Sequence, residues 1–102
     1  MADVSSLIKD AGILAKRAIE NDQKEENYPV AIYFYVEATS ILERAKYVVD
    51  ESIRNRDGIY SDAVIADNRK IAEAIQSKIN EYRGRTIKLE EGTLVALFFT
   101  FC

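Results

Sequence analysis

There is no histidine in this chain, and that one absence removes the commonest general base and the commonest metal ligand. The single cysteine, Cys102, is the last residue. It cannot form a CxxC site or an internal disulfide, and a catalytic thiol would lack a base partner. The glycines, Gly12, Gly58, Gly84 and Gly92, are scattered, so no glycine-rich loop exists to cradle a phosphate. Pro29 is the only proline and tryptophan is absent. No apolar run approaches the roughly 20 residues of a membrane-spanning helix. The opening residues 1–6 lack the basic segment and apolar stretch of a secretory leader. Acidic and basic residues are both spread along the chain, to a net charge of −3, without the clustered Lys and Arg that duplex nucleic acid demands. These absences argue against an enzyme, a cofactor and a metal site. They predict a small cytoplasmic domain in a reducing compartment. Adjacent carboxylates do occur, at Glu25–Glu26, Asp50–Glu51 and Glu90–Glu91. Neighbours in sequence point to different sides of a helix, so these pairs read as solvated surface.

What the 102 residues do hold is long helical periodicity. From Pro29 to Gly58 there is no further proline or glycine. Proline suits the first turn of a helix, where its missing N–H would have no partner. Beyond it Ala31, Phe34, Tyr35, Ala38, Leu42, Ala45 and Val49 recur three and four apart. Val30, Tyr33, Ile41 and Val48 widen that stripe, so this helix should touch two neighbours. It is expected to run from Pro29 to Asn55, with Arg56-Asp57-Gly58 as its stop. An earlier helix, capped near Asp3 to Ser6, buries Val4, Leu7, Ile8, Ala11, Leu14, Ala15, Ala18 and Ile19. The link 21–27 holds no apolar residue and reads as an exposed turn, short enough to make its flanking helices antiparallel. A third helix, capped by Ser61 or Asp62, carries Val64, Ile71, Ile75, Ile79, Tyr82, Thr86 and Leu89 on its buried line. The pattern predicts an all-α, antiparallel, up-down-up three-helix bundle over residues 1–92, ended by Gly92. The apolar tail 93–102 reads as lying outside it, and strand, extra helix and docked tail all remain open for it.

Three blocks of residues resemble the microtubule-interacting and trafficking (MIT) domain. Ala11, Leu14, Ala15, Ala18 and Ile19, followed by Asn21-Asp22, look like that family's alanine-rich opening and acidic exit. Tyr28, Ala31, Ile32, Tyr35, Ala38 and Ile41 are similar to its second-helix pattern. Ile75, Lys78, Ile79, Tyr82, Arg85 and Leu89 resemble its closing signature. The chain departs from the pattern at Arg83, where leucine is common, at Gly84, and at Thr86, where alanine is usual. Its link between the second and third helices is also longer.

The resemblance implies a three-helix bundle that binds short C-terminal motifs of ESCRT-III-type proteins and brings a host protein to endosomal or other membrane-remodelling sites. It implies a groove between helices two and three, with a second between helices one and three. Gln76, Asn80, Arg83 and Ile87 are the candidate partner-binding residues on one wall, with Tyr33, Glu37 and Ile41 on the other. Tyr33 and Ile41 read rather more readily as core, and Arg83 and Ile87 equally well as an ordinary half-solvated face. Glu37, Glu73 and Glu81 are candidate acidic rim groups for a basic ligand. A monomer with no nucleic-acid partner and only indirect contact with membrane is expected. A tetratricopeptide-like structural hairpin is the alternative, carried by Tyr28, Ala31, Tyr35 and Ala38. It lacks a second copy at a period near 34 residues. A basic helix lying on a microtubule or membrane would use Arg69, Lys70, Lys78, Arg83, Arg85 and Lys88, but Asp62, Asp67, Glu73 and Glu81 are interleaved with them.

Overall fold

A computed structural model of the chain describes residues 4–54, 58 and 60–101, with the backbone alone over 94–101. Asp3, residues 55–57, Ile59 and Cys102, on which several expectations about caps and stops fell, lie outside the described residues. Three helices follow one another: α1 (Val4–Asn21), α2 (Tyr28–Arg54) and α3 (Asp62–Phe101). A single 3-10 turn, Glu25–Asn27, leads from α1 into α2. No strand occurs among the described residues.

The packing order makes the topology up-down-up. One core cluster joins Ala11 of α1 to Leu42, Ala45 and Val49 of α2 and to Ala72, Ile75 and Ile79 of α3. The other joins Ala18 to Ala31 and Tyr35 and to Leu89. Residue numbers rise along α1 and α3 from the first cluster to the second and fall along α2. Side-chain size sets the spacing. Ala11, Ala15, Ala18, Ala31, Ala38, Ala45 and Ala72 are all buried, and methyl-sized contacts bring helix axes toward the short end of the roughly 8–10 Å range.

Helix ends follow local chemistry. The Ser61 hydroxyl accepts a hydrogen bond from the Val64 N–H at 3.3 Å, as a helix N-cap does. Gly58 has φ +65°, the left-handed conformation glycine adopts without a Cβ clash. Gly92 does not end α3. The helix continues through it to Phe101, and the Tyr28 ring lies beside it, 3.7 Å from where a Cβ would sit. Helical hydrogen bonding along an unbroken rod outweighs glycine's cost of about 1 kcal/mol. Because Gly92 lies level with the start of α2, residues 93–101 carry α3 past the end of the bundle, and the molecule is 62 Å long.

Six expected core positions are exposed: Ile8 and Ile19 on α1, Val30 and Tyr33 on α2, and two on α3. Val64 and Ile71 both reach solvent, while Ala72 is buried instead. Val49 shares its cluster with Ala72, and Leu42 with Ile79. By that register the level of Val64 lies beyond Arg54, where α2 no longer offers a described surface.

Candidate functional site

A cleft of about 350 Å³ runs between α2 and α3, lined by Val36, Thr39, Ser40 and Glu43 on one side and Arg83, Thr86 and Ile87 on the other. Its floor is built from helical residues with their polarity already satisfied. Thr39 is buried and donates its hydroxyl to the Tyr35 carbonyl at 2.8 Å. Thr86 donates to the Tyr82 carbonyl at the same distance. With those hydroxyl protons committed one turn back, the floor has no donor in need of a partner. The walls are apolar and open: Val36 is 49% exposed and Ile87 55%.

Arg83 closes one end of the cleft by an ion pair with Glu43 across the groove. Both side chains remain about half exposed, and an ion pair in that setting contributes on the order of 0–1 kcal/mol. A ligand can therefore open this clasp at little cost. Beyond it the groove continues as a polar stretch lined by Lys46, Tyr47, Asp50, Gln76 and Ile79, where Lys46 pairs with Asp50 at 2.8 Å.

Of the residues proposed from sequence, Gln76, Arg83 and Ile87 lie along this α2–α3 groove. Asn80 accepts a hydrogen bond from Gln76 at 2.9 Å and lines a different cleft. Tyr33, Glu37 and Ile41 do not line the α2–α3 cleft. Tyr33 is exposed and meets Phe34 edge-on at 5.4 Å, Glu37 is exposed, and Ile41 packs half-buried against the core cluster around Leu42 and Ile75. The α2 wall is instead the stripe Val36, Thr39, Ser40 and Glu43, which has the same helical spacing but is rotated around α2. Periodicity marks such stripes without saying which one faces α3.

The second cleft, about 380 Å³, lies between the end of α1 and α3 and is lined by Ile19, Tyr35, Asn80, Glu81, Tyr82, Gly84, Arg85 and Lys88. Asp22 anchors one end. It receives hydrogen bonds from Arg85 and from the Tyr35 hydroxyl, the latter at 2.8 Å. The Arg85 hydrogen bond, which outweighs the cost of partial burial, holds the Asp22 carboxyl below its ordinary value. Burial, then the bond to Asp22, pushes the Tyr35 phenol well above its own. The turn read from sequence as merely exposed thus contains a carboxylate that ties α1 to both other helices. Its partner Arg85 lies 63 positions away, so no local pattern marked the pair. Glu81 pairs with Lys78 at 3.0 Å on the rim of this cleft.

Among the described residues no group of three or more His, Cys, Asp or Glu side chains is placed to hold a metal ion, and no helix is long and apolar enough to cross a membrane. The arrangement offers apolar grooves with charged rims. No protein-family model, curated protein or solved structure matches the chain.

Proposed function

We propose that this chain is a protein-interaction module of the MIT type, which binds short C-terminal motifs of ESCRT-III-type proteins in the α2–α3 cleft and recruits a host protein to endosomal membrane-remodelling sites. The observation that carries the reading is the open apolar cleft between Val36 and Ile87, on a three-helix bundle whose sequence blocks resemble that family. A ligand helix or extended tail would lay a few aliphatic side chains on Thr39 and Thr86 between those walls. Basic ligand residues would meet the Glu43 carboxylate at the rim, once it is released from Arg83. A surface this small binds in the micromolar range, about −8 kcal/mol.

The test is titration of ESCRT-III C-terminal peptides into isotope-labelled protein, read by amide chemical shifts. Shifts centred on Val36, Thr39, Arg83, Thr86 and Ile87 are expected. Shifts centred on Ile19, Gly84 and Lys88 would move the site to the α1–α3 cleft. A spectrum unmoved at millimolar peptide across the panel ends the proposal.

A further inference from the structure

The face of α2 turned away from the core carries Tyr33, Glu37, Ser40, Arg44 and Tyr47, spaced four, three, four and three apart. All five are exposed, and the two tyrosines are the most open large hydrophobic side chains of this helix, at 59% and 66%. Alternating steps of four and three lay a straight seam along a helix, the spacing by which helices pair side by side. Here the seam faces solvent. None of its five side chains is covered by α1 or α3, and Glu37 and Arg44, seven residues apart, are too far from each other to pair within one helix. Neither makes an ion pair elsewhere among the described residues.

The seam is also symmetric about Ser40 to within one residue. Tyr33 and Tyr47 each lie seven residues from it, and Glu37 and Arg44 lie three before and four after, with opposite charges. From this we propose that the outer face of α2 is a self-association surface whose occupant is a second copy of this chain. Two α2 helices pack antiparallel across a two-fold axis at Ser40. In that arrangement Tyr33 of each copy meets Tyr47 of the other, and Glu37 meets Arg44, twice over. The small serine at the axis lets the backbones approach. A parallel pairing would set each charge against its own kind, so the charge pattern itself selects the antiparallel dimer.

The seam spans about 21 Å of helix at 1.5 Å per residue and about 10 Å of helix width, on the order of 200 Å², well short of a standard interface of roughly 800 Å² per partner. The dimer is accordingly weak, and the monomer expected from sequence is its dilute form. The inference does not depend on the peptide-binding reading, although Ser40 and Tyr47 border both surfaces.

Sedimentation equilibrium of the full chain across micromolar to millimolar concentrations tests it. Reversible dimerisation is expected. E37R and R44E should each weaken it by about tenfold or more, because each sets like charges together at both ends of the seam. The double variant E37R/R44E should restore it, as should mixing the two single variants. Both positions of exchange are exposed, and circular dichroism with urea titration verifies that each variant keeps its fold. A chain that stays monomeric at millimolar concentration overturns the proposal. So does association that neither single variant moves, which would belong to another surface such as 94–101, and so does a double variant as weak as the singles.

Discussion

Arg85 donates its Nε–H to Asp22 Oδ2 at 2.6 Å, joining the residue just after α1 to the C-terminal half of α3. Asp22 sits where the α1 dipole presents its negative end, an unfavourable place for a carboxylate unless a cation answers it. The Tyr35 hydroxyl donates to the same oxygen at 2.8 Å, so all three helices meet at one side chain. The Asp22 side chain is only 11% exposed and that of Arg85 is 42%. This places the pair between a surface ion pair and a fully buried one.

Asp22→Asn should therefore destabilise the fold by about 1–3 kcal/mol, and Tyr35→Phe by about 1 kcal/mol. A double-mutant cycle in urea checks it. The double variant should cost less than the two singles combined, because they share one hydrogen bond. Strict additivity would mean that the three groups do not act together.

The same carboxylate sets an acid dependence. Its folded value lies below the ordinary 3.8, so the unfolded chain takes up the proton first. The stabilisation is fully present above the ordinary value and is lost as pH falls through the folded one. Between about pH 5 and pH 3 the wild-type urea midpoint should fall more steeply than that of Asp22→Asn. Parallel curves would refute this. Tyr35 works in the opposite direction, since its raised phenol stabilises below the ordinary tyrosine value and the effect is lost as pH rises through the folded value.

Gly92 lies inside α3, and a Cβ there would stand 3.7 Å from the Tyr28 ring, ordinary contact. Gly92→Ala should stabilise the chain by about 0.5–1 kcal/mol. Gly84→Ala, with nothing within 4 Å, should do the same. Thermal unfolding reads both, and a lower midpoint for Gly92→Ala would mean that the helix ends there.

Arg83→Leu should lengthen the apolar lining of the α2–α3 cleft and free Glu43 for a basic ligand. An added buried methylene or two contributes about 1 kcal/mol, so peptide affinity should rise about fivefold, measured by calorimetry. Because the lost ion pair is exposed, the urea midpoint should hardly change. Unchanged or weaker peptide binding would place the ligand elsewhere.

Much of the fold could be read along the chain. The alanine and aliphatic spacings marked the buried sides of α1 and α2, Pro29 and Ser61 their neighbouring helix starts, and Gly58 a turn. The site was harder. Val36 and Tyr33 are three residues apart on the same helix, and either could have faced α3. Tyr33, Glu37 and Ile41 form a true stripe, but one lying on another side of α2 from the cleft. Gly92 differs from a helix stop for another reason: a glycine ends a helix only when the next residues have no cause to continue it.

Residue order alone determined how many rods form and which side of each is oily, because both depend on neighbours three and four positions away. How the rods are turned toward one another is a different matter. That α3 lies beside Val36 and Glu43, and that Arg85 finds Asp22, depends on the angle at which alanine-faced helices nest, and contacts between residues 40 and 63 positions apart leave no periodic trace in a linear chain.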